Sequence, residues 1–209
     1  MNKRWLIVAV VASYLIMLFG GALLKPGYSH LGQYISELNA AGTPYASLIG
    51  WFGFVPFAVL SAALLVAAAP VVPVRGVSRL GYWLLLSEPI AYLGSALAPC
   101  DIGCPAEGSV SQMIHNALAI VTYLTTSVAL VLLAFTPRIS KFMRVVWVAA
   151  AMVWLTLFGM MADPGLSEWR GLLQRLAEWT VFGLLLASAW WCITRQQDSG
   201  RSGEAMNLR

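Results

Sequence analysis

The chain has 209 residues, of which 59% are hydrophobic and 11% charged, and it carries a formal net charge of +4. A soluble domain has about 25% charged residues, so a water-soluble globule is excluded and lipid has to be the solvent for most of the surface. The positive charge comes without zinc-finger spacing, a Gly-rich phosphate loop or a basic helix, so no nucleic-acid partner is expected.

In chain order, Lys3 and Arg4 precede an apolar run from Trp5 to Leu24. At about 20 residues it is long enough to span a membrane, whereas a signal-peptide core is about 7–15. It reads as a retained first helix, with cleavage near Gly20-Gly21-Ala22 as the alternative. A polar loop from Lys25 to Tyr45 follows. Further spans are expected over 46–69, 80–98, 113–135, 145–162 and 172–193, which makes about six in all. Pro70, Pro73 and Gly76 punctuate one turn, Pro99 to Gly108 form a loop, Pro137 marks another turn, and Asp163-Pro164-Gly165 breaks the fifth span. The fold class is therefore all-α, a polytopic membrane bundle over residues 1–194. Residues 195–209 form a Ser/Gly-rich polar tail read as disordered.

Basic residues orient the bundle. With the N-terminus inside, the cytoplasmic side holds Lys3, Arg4, Arg75, Arg79, Arg138, Lys141, Arg144, Arg195, Arg201 and Arg209, and the outside holds Lys25, Arg170 and Arg175. The expectation is an inner (plasma) membrane protein with both termini cytoplasmic. The acids Glu37, Asp101, Glu107, Asp163, Glu168 and Glu178 fall outside or at the outer helix ends, together with His30, His115, Cys100 and Cys104. Any binding or catalytic site is accordingly expected on the extracytoplasmic side.

The first outer loop reads SHLGQYISELNA. With Ser29 as N-cap, Leu31, Tyr34, Ile35 and Leu38 share one helical face while His30, Gln33 and Glu37 share the other. A short interfacial helix is predicted, either with a solvated polar face or with His30 and Glu37 pointing into the bundle mouth. Glu88, Tyr92 and Ser95 make one stripe on the third span. Glu88 lies near the midplane, where a carboxylate needs a proton or a partner and is by default a functional candidate. Ser111, His115, Thr122 and Thr126 line the fourth span beside Asn116 and Tyr123. His115 is either an interhelical hydrogen-bonding group or an acid, base or metal ligand. The Pro99–Pro105 loop holds Cys100 and Cys104 in an oxidising compartment, which favours a disulfide over a thiolate metal site. Cys192, at the other end, reads as a free core thiol. At the head of the last span, Gln174, Arg175 and Glu178 lie within one turn. Arg175 and Glu178 can pair with each other, or Arg175 can hold a phosphate headgroup.

The strings HLGQYISELNA, APCDIGCP, HNALA and GLLQRLAEW, in this order, resemble a family of bacterial and archaeal multispanning proteins known as domain of unknown function 998. The matching positions are Ile35-Ser36-Glu37-Leu38, Pro99-Cys100-Asp101, Gly103-Cys104, His115 and Gln174-Arg175. The resemblance implies a compact multi-helix membrane protein without an assigned reaction. More loosely the pattern is similar to the damage-regulated autophagy modulator family, which implies a link to lipid organisation and lipid-anchor processing. The three-histidine pattern of ceramidase-like membrane hydrolases is not met, because the chain has two histidines.

Two functions remain open on these residues. One is an enzyme acting on a lipid or lipid-linked substrate. It would use His30, Glu37, Asp101 and His115, with Ser36 as nucleophile, and Gln174, Arg175, Glu178, Glu88 and Asn116 would bind substrate. The chemistry would be general acid–base, or zinc held by His30, Asp101 and His115 with an open water position. The other is a non-catalytic lipid- or small-molecule-binding, transport or assembly protein, in which Glu88 gains weight as a midplane acid.

Overall fold

The computed structural model describes residues 4–207, with side chains as far as Arg195. Among the described residues every regular element is helical and no strand forms. The solvent dictates this: in hydrocarbon no water can satisfy an N–H or C=O, so each crossing segment must close its own backbone hydrogen bonds. The helices are α1 (Arg4–Leu24), α2 (Ala46–Ala68), α3 (Val77–Leu84), α4 (Ser87–Leu97), α5 (Val110–Leu133), α6 (Lys141–Met161) and α7 (Arg170–Asn207). Single π turns interrupt α1 at Ile16–Gly20 and α2 at Gly50–Phe54. Five of the helices are long and apolar enough to cross a membrane, the last as the stretch Pro164–Arg195. The protein is thus a multi-pass membrane protein.

The third expected span differs from the single helix predicted over 80–98. It is two helices, α3 and α4, joined at Leu85–Leu86. Pro89 has no N–H to offer the Leu85 carbonyl. The join therefore tightens to three-residue spacing, with Leu85 N–H donating to Tyr82 O (3.3 Å), Leu86 to Trp83 O (3.1 Å) and Glu88 to Leu85 O (3.2 Å). The two pieces still run antiparallel along the whole of α5. Gly81 packs on Ala129 and Leu132, Ser87 Oγ lies 3.3 Å from Thr126 Oγ1, Gly94 meets Leu118, and the Ala98 carbonyl reaches His115.

The bundle is a ring: α1 packs on α2, α2 on α4, α3 and α4 on α5, α5 on α6, α6 on α7, and α7 returns to α1. Its pattern is inside-out relative to a soluble protein. On α5, Gln112, His115, Thr122, Tyr123, Thr126 and Ser127 are buried while Met113, Ile120, Val121 and Leu124 are exposed. Leu23 at 87% and Phe52 at 73% exposure belong to the same apolar outer belt, which only lipid can solvate. Two apolar clusters fill the interior. One, around Trp147 and Trp154, joins α3, α5, α6 and α7. The other, around Phe54 and Phe57, joins α1, α2, α4 and the far part of α7.

The first described residues of α1 and the stretch of α7 around Trp190 share one face of the bundle, where the Arg4 guanidinium lies 5.5 Å from the Trp190 ring. The loops around residues 25–45, 99–109 and 163–169 build a cap at the opposite face. α7 continues to Asn207, into the tail that the sequence leaves without regular structure; extending an existing helix costs far less than starting one.

The expected interfacial helix over 29–39 does not form as such. Residues 29–33 are a turn closed by Gln33 N–H to Ser29 O (2.9 Å) and Gly32 N–H to Ser29 Oγ (3.1 Å). Tyr34 is extended, its N–H donating to Glu37 Oε1 (3.0 Å), and a 3₁₀ helix follows over Ile35–Asn39. All five of its residues are buried, so it is an inner plug rather than a surface helix.

Gly81 sits where α3 and α5 touch: a Cβ there would stand 2.7 Å from Leu132 Cβ and 2.8 Å from the Ala129 carbonyl oxygen. Gly81→Ala is expected to cost about 1–3 kcal/mol through overpacking, read as a lower unfolding midpoint in detergent. Gly183→Ala, where a Cβ meets nothing within 4 Å, leaves the midpoint unchanged or raised.

Candidate functional site

The cap is built on the first turns of α7. A helix start has N–H groups without intrahelical partners, and here Leu172 N–H donates to Leu31 O (2.9 Å). Gly171 allows this approach, because a Cβ would stand 2.8 Å from the Gln33 backbone carbon and nitrogen. Gln174 Oε1 accepts from Ile35 N–H (2.6 Å). Arg175, 2% exposed, uses Nη1 for the carbonyls of Gly171 (2.7 Å) and Gln33 (3.1 Å), and Nη2 for Tyr28 Oη (2.7 Å) and His30 Nδ1 (3.0 Å). Only its Nε lacks a partner.

Glu37 is the second anchor of the cap. It is 2% exposed and pairs with Arg170 at 3.0 Å, and it accepts from Gln33 Nε2 (3.0 Å) as well as from Tyr34 N–H. Arg170 also lies over the Tyr34 ring at 4.7 Å, and Lys25 Nζ donates to the Glu37 carbonyl. His30, Glu37 and Arg175 are therefore occupied in holding the cap together. Burial, and then the Arg175 charge, lower the His30 pKa. Because a guanidinium only donates, His30 Nδ1 is the acceptor and the ring proton sits on Nε2. Burial raises Tyr28 to about 12 against the pull of Arg175.

The second part of the cap is the Cys100–Cys104 disulfide, closed through a turn with Gly103 (φ 82°) and Cys104 (φ 45°) left-handed. Asp101 is held by Ser109, whose N–H and hydroxyl each donate to its carboxylate at 2.8 Å. These bonds, the backbone one foremost, lower its pKa. Gln112 accepts from Asp101 N–H (2.7 Å) and donates to Asn116 (2.7 Å), and Asn116 donates to the Pro105 (3.2 Å) and Ala106 (2.9 Å) carbonyls. The His115 ring lies 3.2 Å from the Ala98 carbonyl through Nδ1, which must donate there and so leaves Nε2 unprotonated in the neutral ring.

A metal fit can be tested on these donors. Among the described residues the one group close enough to share an ion is Cys100, Cys104 and His115, with ligand atoms within 4.8 Å. In the disulfide the sulfurs are not thiolates, so this set does not fit zinc. His30, Asp101 and His115 are not gathered into such a group, since Arg175 holds the first and Ser109 the second. Ser36 Oγ lies 3.4 Å from Cys104 Sγ. A disulfide sulfur has no hydrogen, so the serine donates to it, and among the described residues no hydrogen bond links Ser36 to His115.

Beneath the cap lies a cavity of about 520 Å³. Ser36, His115, Asn116, Gln174, Glu88 and Glu178 all line it, so six residues singled out from distant parts of the sequence share one space. Glu88 and Glu178 are 3% and 5% exposed. Thr126 donates to Glu88 Oε1 (2.5 Å) and Tyr92 to Glu178 Oε2 (2.8 Å). Of the two roles open to Arg175, pairing with Glu178 does not occur as an ion pair, because its guanidinium turns to the cap. Sequence reasoning missed the aromatic wall of Phe54, Trp154 and Phe158, because aromatic residues in spans look alike whether they face lipid or a cavity. A second, larger cavity of about 1210 Å³ lies toward the end of the bundle opposite the cap, lined by apolar residues with Arg75, Arg138 and Arg195, and Glu88 borders it too.

The family model described as "Protein of unknown function (DUF998)" matches residues 7–191. No curated protein and no solved structure matches the chain.

His30 generates a pH prediction. Its folded-state pKa lies below the ordinary value, so acid protonates the unfolded chain first. The cap is at full strength above about pH 6.5 and loses stability as pH falls through that value, down to where the folded-state ring is itself protonated. Thermal unfolding between pH 8 and 5 is expected to show this loss for the wild type and a reduced one for His30→Gln.

Proposed function

The chain belongs to the DUF998 family of membrane proteins, and from its geometry we propose that it is a ligand-binding membrane protein whose capped cavity takes an amphipathic, lipid-derived molecule. The carrying observation is the shared space: Ser36, Glu88, His115, Asn116, Gln174 and Glu178 meet in one cavity of about 520 Å³. Ligand sites of about 300–1,000 Å³ with apolar walls and a few convergent polar groups are the common kind. Binding is favoured over catalysis because Ser36 spends its hydroxyl proton on the Cys104 sulfur and His30, Asp101 and Arg175 are committed to the cap. An activated nucleophile needs a base within hydrogen-bond reach. The looser likeness to a lipid-handling family points the same way.

We place the cap outside the cytoplasm of a plasma (inner) membrane and both termini within it, on the distribution of Lys and Arg. A reporter fused after Arg209 that fluoresces only in the cytoplasm should be active, and a periplasmic phosphatase reporter fused there inactive. The reverse pattern would invert the placement.

Ala119 lines the cavity and is half-buried. Ala119→Trp fills the space with an indole while the cap bonds stay in place. The variant is expected to lose saturable binding of a fluorescent single-chain amphiphile in nanodiscs, with an unfolding midpoint close to wild type. Undiminished binding would rule the cavity out as the site.

A further inference from the structure

Glu88 and Glu178 are buried carboxyls that each accept one side-chain hydrogen bond and stand outside the ion pair of the cap. Arg170–Glu37 is the one ion pair between described residues, so neither buried carboxyl is in an ion pair with a described cation. Arg175, one turn from Glu178, is committed to the cap, and Arg170 at the cavity mouth is committed to Glu37. A buried carboxylate without a counter-charge is expensive. The site therefore favours whatever brings positive charge to it.

The walls favour the same kind of guest. Tyr123, Trp154 and Phe158 are stacked, with ring centroids 4.3 Å and 4.2 Å from Tyr123, and all three line the cavity. Tyr92 and Phe54 add two more rings. Aromatic faces attract organic cations, more strongly when water is excluded. A separate observation also points to a ligand: the Tyr123 hydroxyl is buried on a residue 6% exposed and has no hydrogen-bond partner. A buried, unpaired hydroxyl costs about 1–3 kcal/mol, and a guest that carries an N–H, as a protonated amine does, can supply the missing partner.

We propose that the ligand of this cavity is a lipophilic organic cation, an amine or quaternary ammonium, that enters in exchange for a proton held by the Glu88–Glu178 carboxyl pair. This rests on the cavity-binding reading and names its ligand class. In the exchange one carboxyl O–H bond breaks, the proton leaves to solvent, and the ligand's positive charge takes its place, so the charge in the cavity is unchanged. The other titratable or charged groups around the pair are Tyr14 on α1, Tyr34 and Asp163 in the cap, Tyr92 on α4, Tyr123 and His115 on α5, and Arg170 and Arg175 on α7, with Arg75, Arg138, Arg195, Tyr82 and Cys192 around the second cavity that Glu88 borders. Apart from the two acids, the cavity lining carries no group that is anionic near neutral pH save Asp163, at the cap. Glu88 also borders the cavity toward the opposite end, so the same carboxyl faces both halves of the molecule.

The test uses three probes with one tail, decyltrimethylammonium, decanol and decanoate, titrated calorimetrically into the protein in zwitterionic nanodiscs, in two buffers of different ionisation enthalpy. The wild type is expected to bind the ammonium at least about tenfold more tightly than decanol and to release about one proton per cation bound. Glu88→Gln and Glu178→Gln, whose amide oxygens keep the bonds from Thr126 and Tyr92, are expected to lose both the preference and the proton release. The wild-type proton count stands whether or not those variants fold. If decanol or decanoate binds as well as the cation and Ala119→Trp removes that binding, the cavity reading survives and the cation proposal falls. If no probe binds saturably, or Ala119→Trp changes nothing, the cavity reading falls as well.

Discussion

The structure depends on the docking of the first loop onto the start of α7 through Arg175. In lipid an unpaired backbone group has no water to fall back on, and both the turn at 29–33 and the helix start at Arg170 expose such groups. One guanidinium closes the account for several of them, taking two carbonyls, a tyrosine hydroxyl and an imidazole nitrogen. Its planar fork suits this in a way a lysine ammonium does not. With that junction made, Tyr34 can donate to the Met161 carbonyl at the end of α6 (2.9 Å) and Asn39 to Ser95 O on α4 (2.7 Å). The plug over Ile35–Asn39 thus ties α7, α6 and α4 together and roofs the cavity between them.

The floor of the cavity depends on the broken crossing. A continuous helix from Leu80 to Ala98 would have matched its neighbours in length and apolarity. Pro89 removes one backbone bond and the chain relaxes into α3 and α4 at Leu85–Leu86. The break brings Glu88 into the first turn of α4, facing Thr126 on α5. A carboxyl at this depth is tolerable only inside the bundle, and the residue borders both cavities because it stands at the joint.

Much of the bundle was legible in the sequence because lipid imposes a coarse and reliable signal. Runs of about 20 apolar residues had to be helices, and four of the five long spans fall within a few residues of their expected bounds. The broken third crossing was foreshadowed by Pro89 but read as one span, since composition does not show where a helix relaxes. The loop 29–39 misled for a physical reason. Its 3.6-residue periodicity of His30, Gln33 and Glu37 is real, yet each of those side chains bonds locally or to α7, and Glu37 captures the Tyr34 N–H that a continuous helix would have used. Position at the same membrane depth was a poor guide to proximity. His30 and His115 share the cap yet serve separate networks, one around Arg175 and the other around the Ala98 carbonyl.

The polar groups divide into two sets in opposite states. Those of the cap are nearly saturated: the Glu37 carboxylate accepts from Gln33 and the Tyr34 N–H and pairs with Arg170, and Gln112, Asn116 and Asp101 are linked in series beneath the disulfide. Polar networks of this kind, fully satisfied, rigidify a structure. Those of the cavity are under-satisfied: two carboxyls in no ion pair with a described cation and a tyrosine hydroxyl without a partner, enclosed by aromatic rings. A protein under selection for stability alone would gain by replacing such groups with apolar ones. Their presence beneath a rigid roof is the arrangement expected where stability is given up for binding, and it accords with the proposal that the cavity is a binding site.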